Sequence, residues 1–186
     1  MTERRARGSA KSRRLQAFAL VAVIAVVGAG GWAIIAATQS PETEDCPDGA
    51  ECVVIHTSTG DHLFTVEWAV TASERACGLM FREEMPSDHG MVFDFRVERA
   101  VSFWMSNTLI SLDMIFIEDG GEVLSVAEFT TPLSLEGVPS AGPVRYVLEV
   151  VGGTAGRIGL SPGDMIDLER ASGVTAGTAI CYPPPE

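Results

Sequence analysis

Residues 15–37 read LQAFALVAVIAVVGAGGWAIIAA, a run of 23 without one charged side chain, of which 19 are apolar. A helix of that length extends about 34 Å at 1.5 Å per residue, enough to cross the ~30 Å hydrocarbon core of a bilayer. Six basic residues (Arg4, Arg5, Arg7, Lys11, Arg13, Arg14) and a single acid, Glu3, precede it. The positive-inside tendency then predicts a cytoplasmic segment 1–14, a signal anchor over 15–37, and everything beyond on the extracytoplasmic side. The rival is a cleaved signal peptide, whose apolar region spans about 7–15 residues. The longer run here favours an uncleaved, single-pass anchor in the cell membrane.

Charge divides at the same place. Residues 1–14 carry a net +5, whereas residues 38–186 hold seven basic and 24 acidic residues, a net of −17. So acidic an outer part argues against nucleic acid as a partner, because phosphate binding needs a basic surface. Residues 38–52 contain two prolines and five acids and read as an acidic stalk.

The four cysteines, Cys46, Cys52, Cys77 and Cys181, all follow the apolar run. An even number in an oxidising compartment predicts disulfides, and three full pairings are open. Cys46–Cys52 would close a tight loop, and pairing with Cys181 would join the ends of the domain. Zinc has weak support. The histidines, His56, His62 and His89, show no ligand spacing, so neither a metal nor another cofactor is expected.

Beyond residue 52 the pattern is one of short strands. Val53–His56, Leu63–Val70, Gly90–Phe95, Val101–Met105, Leu112–Ile117, Glu122–Phe129, Val144–Val151 and Met165–Leu168 are each rich in β-branched or aromatic residues. Asp119-Gly120-Gly121 between two of them signals a hairpin. Thr71 and Glu74 make a capping box for a short helix over Ala72–Leu79. Thr154 is expected to cap a second helix ending near Gly159, and Pro162-Gly163 suits a type II turn. The expected fold is mainly β with one or two short helices, a compact sandwich-like or barrel-like domain over 53–170. A tail of small residues and prolines, 171–186, completes the chain. Regular βα alternation is absent, which disfavours a doubly wound sheet.

Within this domain stand Glu74-Arg75, Gly78-Leu79-Met80-Phe81-Arg82, Gly90-Met91-Val92-Phe93, and Ser102-Phe103-Trp104-Met105-Ser106-Asn107-Thr108. Leu112-Asp113-Met114-Ile115-Phe116-Ile117, Tyr146-Val147-Leu148-Glu149 and Leu160-Ser161-Pro162-Gly163-Asp164 follow in order. Together they resemble the domain of unknown function 192 family. The resemblance implies a small β-rich extracytoplasmic domain and no established activity.

Arg82, Trp104, Asn107, Asp113 and Glu149 are the candidate ligand-binding residues. Polar groups set among apolar strands must find partners or a ligand. Arg82 would bind an anionic group, Trp104 would offer a stacking face, and Asn107 and Asp113 would orient a sugar or peptide fragment. The plain alternative pairs Arg82 with Asp113 or Glu149 and has Asn107 fix a turn. An enzymatic version makes Asp113 and Glu149 the two carboxylates of an envelope hydrolase acting on glycan or peptide. Cys77 with a histidine is a weaker nucleophile candidate. Met80, Met85, Met91, Met105 and Met114 could suit Cu(I), but most lie in apolar phrases where Met fills core gaps. The sequence therefore favours a membrane-anchored binding or structural module at the cell envelope, its ligand or protein partner unidentified.

Overall fold

The computed structural model describes residues 46–168. The expected cytoplasmic segment, anchor and most of the stalk, together with Cys181 and the tail, lie outside the described residues. Among the described residues no helix is long and apolar enough to cross a membrane.

Among the described residues nine strands and two short helices follow one another as β1 (Cys52–Thr57), β2 (Gly60–Ala69), α1 (Ala72–Cys77), β3 (His89–Arg99), β4 (Ser102–Phe103), β5 (Leu112–Ile117), β6 (Val123–Ala127), β7 (Val138–Pro139), β8 (Val144–Val151), α2 (Thr154–Ile158) and β9 (Met165–Asp167). Seven strands form one sheet in the order β6-β5-β8-β3-β2-β1-β9, and β4 with β7 makes a two-stranded annex. Among these strands β2 and β3 run parallel, joined across α1, and the other described pairs are antiparallel. The sheet curls into a half-barrel, so of the two expected arrangements the barrel-like one is realised.

Its two edges are pinned together at one end. Glu122 bridges Met165, and the Val123 and Ile166 amides donate to the Asp164 and Gly121 carbonyls, each at 2.9 Å. Gly121 is what permits this approach. Its φ is +90°, and a Cβ there would stand 2.6 Å from the Ile166 carbonyl oxygen.

Both faces of the sheet are covered by apolar side chains. Inside the curl, Val53, Ile55, Phe64, Val66, Val92, Ile115, Leu148 and Ile166 pack with Ala155 and Ile158 of α2. On the opposite face Met91, Phe93, Leu112, Met114, Phe116 and Val147 pack with Leu79 and Met105 and with partly buried Phe95 and Phe103. This double burial explains why β5 reads as an unbroken run, with all six residues buried. It also places Met91, Met105 and Met114 in the core, and Met85 packs against the same cluster.

The local signals behave unequally. Leu112–Ile117 and Val144–Val151 are strands at the expected bounds. The capping box forms: Thr71 Oγ1 accepts the Glu74 amide, and Glu74 Oε2 accepts the Thr71 and Val70 amides at 2.8 Å. The helix ends at Cys77 rather than Leu79. Expected strand Val101–Met105 shrinks to two residues, whose partner β7 the sequence did not suggest. Thr154 does not cap α2. The N-cap is Gly153, which has no side chain to offer, and Asp113 fills that role from β5.

Cys46 and Cys52 are disulfide-bonded, with Cα atoms 5.9 Å apart, so residue 46 is tied to the start of β1. Cys77 is disulfide-bonded too, which removes it as a thiolate nucleophile.

Candidate functional site

Glu149 is set by strand alternation. On β8, Val147 and Glu149 face the second core cluster, while Leu148 and Val150 face the first. Its register partners are Met91 on β3 and Met114 on β5, two thioether side chains that offer a carboxylate nothing comparable to water. Glu149 is 4% exposed and has no hydrogen-bond or ion-pair partner among the described residues. Burial alone pushes its pKa up from 4.5 to about 8, because removing water penalises the charged form. At pH 7 this carboxyl is mostly neutral.

One side of Glu149 meets a cleft of about 200 Å³ rather than packed core. The end of α1 and the turn after it contribute Arg75, Cys77, Gly78, Leu79 and Met80; β3 gives Phe93 and Phe95. The annex and the loop beyond it give Ser102, Phe103, Trp104 and Thr108. Phe103 meets Phe93, Phe95 and Phe116 edge to face, with centroids 5.0, 6.1 and 6.3 Å apart, so the aromatic wall is stiff. Trp104 is 55% exposed and stands at the opening. Gly78, at φ +52°, keeps the interior clear: a Cβ there would touch the Phe93 ring at 3.0 Å and stand 4.0 Å from Glu149 Oε2.

Arg75 forms another wall. Its Nη1 donates to the Val70 and Asp94 carbonyls at 2.7 and 2.9 Å, and the guanidinium lies 5.3 Å from the Phe95 centroid. It contributes nothing to the shift of Glu149, whose cause is desolvation.

Two of the five candidates, Trp104 and Glu149, therefore share the cleft. The other three have different duties. Asp113 is fully buried on the opposite face, where Oδ1 accepts the Phe129 and Gly153 amides at 2.8 and 3.0 Å and Oδ2 accepts Ala155 at 2.8 Å. Arg82 forms a two-pronged pair with Glu67 of β2, at 2.5 and 2.7 Å, and not with Asp113 or Glu149. Asn107 fixes a turn: it is left-handed at φ +54°, and its carbonyl accepts the Phe81 amide at 2.8 Å. The carboxylate pair expected of a hydrolase is thus not assembled. Among the described residues no group of three or more His, Cys, Asp or Glu could hold a metal ion.

Sequence reading missed Arg75, Gly78, Phe95 and Thr108 as cleft residues. Their signal was present in the motif phrases around Gly78-Leu79-Met80 and Phe103-Trp104. What was absent was any sign that these phrases converge.

The phrases nevertheless decide the relationship. The family model DUF192, described as an uncharacterised ACR, matches residues 54–168. The chain belongs to the DUF192 family. No curated protein matches it. Among solved structures, a chain from Sinorhizobium meliloti 1021 described as a candidate transcription regulator is 46% identical, with a TM-score of 0.62. That match covers 63% of this chain and 92% of the other. A protein of unknown function from Novosphingobium aromaticivorans DSM 12444 is 40% identical, with a TM-score of 0.61, over 62% of this chain and 83% of its own. The DUF192 domain thus accounts for nearly all of the described residues.

Proposed function

We propose that this DUF192 chain is a binding module, and that the cleft between α1, β3 and the β4–β7 annex receives its ligand. One observation carries this reading. A buried carboxyl without a partner among the described residues faces a solvent-open, aromatic-walled cleft, although an unsatisfied buried polar group ordinarily costs about 1–3 kcal/mol. An aromatic wall with a few convergent polar groups is the usual make-up of a small-ligand site.

The raised pKa of Glu149 would suit a general acid near neutral pH. Hydrolysis, however, asks for a second carboxylate or an activated nucleophile in the same cleft, and among the described residues the lining has no second carboxylate and no histidine to activate the Ser102 or Thr108 hydroxyl. Binding is therefore the better-supported role. The regulator description of the Sinorhizobium relative finds little support in this chain's −17 outer charge, which opposes contact with phosphate backbones. The apolar run 15–37 and the Cys46–Cys52 disulfide support an extracytoplasmic setting at the cell membrane.

The test is a fragment screen by NMR on the full-length chain. Binders should shift the Gly78 and Thr108 amides and the Trp104 indole together. If every binder shifts resonances elsewhere, or if Trp104→Ala leaves all affinities unchanged, the cleft is not the site.

A further inference from the structure

Resting on the reading of this cleft as a ligand site, we propose that its ligand carries a primary alkylammonium group, which seats against Glu149 as the missing counter-charge. Several observations converge on this chemistry. The carboxyl is buried but open on the cleft side, so a ligand atom can reach it. Among the described residues no cation pairs with it. Among the groups facing Glu149, β3 contributes Met91 and Phe93, β5 contributes Met114, and the annex contributes Phe103, none of them charged. From α1, Cys77 is disulfide-bonded and does not titrate. Arg75, the one charged group besides Glu149 among the described lining residues, is directed to the Val70 and Asp94 carbonyls.

The shape agrees. A cavity of about 200 Å³ is small for a whole metabolite and suits a short alkyl chain or one side-chain end. Phe93, Phe103 and Trp104 would flank the methylene stem, as apolar walls commonly flank the stem of an amphipathic side chain. Gly78 leaves the last few ångströms before Oε2 unobstructed. Such a group reaches the site either as a free amine or as a lysine side chain of a peptide.

Seating the ammonium exchanges one proton. The Glu149 O–H bond breaks, the proton leaves to buffer, and an N⁺–H···O⁻ hydrogen bond forms in its place. No other bond changes. Binding therefore competes with protonation of Glu149. Affinity should rise about tenfold per pH unit up to about pH 8 and then level off, until the amine itself loses its proton near pH 10.

Calorimetric titration of the full-length chain, kept in detergent because of its apolar segment, tests the proposal with four probes. These are butylamine, free lysine, a short peptide with one central lysine, and uncharged butanol of the same reach as butylamine. Expected are amine binding that follows this pH course, release of close to one proton per amine at pH 6.5 in buffers of different ionisation heat, and at least tenfold weaker amine binding by Glu149→Gln. Stronger binding of the peptide than of butylamine or lysine identifies a protein lysine as the source, and the reverse identifies a free amine. If butanol binds in the cleft as well as the amines, or if Glu149→Gln keeps full amine affinity while its amide spectrum shows a folded chain, the ammonium assignment falls and the cleft reading stands. If none of the four probes binds, the ammonium assignment falls, and the fragment screen alone decides the cleft.

Discussion

Asp113 and Glu149 lie on neighbouring strands one register step apart, yet their side chains leave opposite faces of the sheet. Asp113 pairs with Val150, and Glu149 pairs with Met114. Residues in register share a face, and successive residues alternate, so the two carboxyls are separated by the sheet itself. One serves as a structural acceptor and the other floors the cleft. Two acids that look equivalent in the chain thus belong to different parts of the molecule's physics.

Replacing Asp113 should damage folding and leave the cleft's chemistry alone. Its two oxygens satisfy the amides of Phe129, Gly153 and Ala155, and through the last two they start α2. Hydrogen bonds to a charged acceptor contribute about 1.5–3 kcal/mol each, and buried donors left without one cost a comparable amount. Asp113→Ala is expected to lower unfolding free energy by about 3 kcal/mol or more, and Asp113→Asn by somewhat less. Urea denaturation at fixed pH measures both. A change under 1 kcal/mol for Asp113→Ala would remove it from this structural role.

Arg82 should prove dispensable by comparison. Its pair with Glu67 is two-pronged but lies at the surface, with side chains 35% and 56% exposed. Exposed pairs contribute about 0–1 kcal/mol and are screened by salt. Arg82→Ala should therefore cost under 1 kcal/mol, less in 1 M NaCl, and should leave ligand affinity at the cleft unchanged. A tenfold loss of affinity would mean that Arg82 reaches the ligand after all.

These contrasts show what the sequence could carry. Strands Leu112–Ile117 and Val144–Val151 were legible because β-branched and aromatic residues crowd them, and the Thr71–Glu74 box was legible because its chemistry is local. Register was not. A shift of one residue between β5 and β8 would have set Asp113 beside Glu149 on one face, and no residue in either strand announces which alignment wins. The same holds for Arg82, whose partner Glu67 comes from the parallel strand brought alongside by the α1 crossover. Strand β7 escaped notice because two residues, Val138 and Pro139, are too few to make a pattern. The cap of α2 was misread because Gly153 uses an acid forty residues away.

His56 should make the β1–β2–β9 edge sensitive to pH. Its Nδ1 and Nε2 meet Asp61 at 2.8 Å and Asp167 at 3.1 Å, and these two carboxylates raise its pKa above 6.5. The folded chain therefore holds this proton more tightly than the unfolded chain. The stabilisation is complete below about pH 6.5 and fades as pH rises through the raised value. At 39% side-chain exposure the effect is small and weakened by salt. Subtracting the pH dependence of His56→Asn from that of the parent chain, between pH 5.5 and 8.5 in urea, should show the parent's advantage falling with pH. An advantage that rises with pH contradicts the two-carboxylate clamp.

Glu149 should give the largest pH effect, and one of similar direction. Its folded pKa of about 8 stands above the unfolded 4.5, so here too the folded chain holds the proton more tightly. The burial penalty is absent below about pH 4.5, where the carboxyl is neutral in both states. It grows as pH rises through the window from 4.5 to 8, since unfolding then lets the acid ionise in water. Above 8 the folded acid is charged as well, and the loss stops growing. Each pH unit inside the window costs about 1.4 kcal/mol, so the whole is on the order of a few kcal/mol. Glu149→Gln keeps the shape without the titration. The variant should match the parent near pH 4.5, exceed it progressively toward pH 8, and hold a constant margin beyond. Urea midpoints for both chains at pH 4.5, 6, 7.5 and 9 measure that margin. A parent chain that equals or outlasts the variant at pH 7.5 would mean that Glu149 has found a charge partner and that the cleft floor is already satisfied.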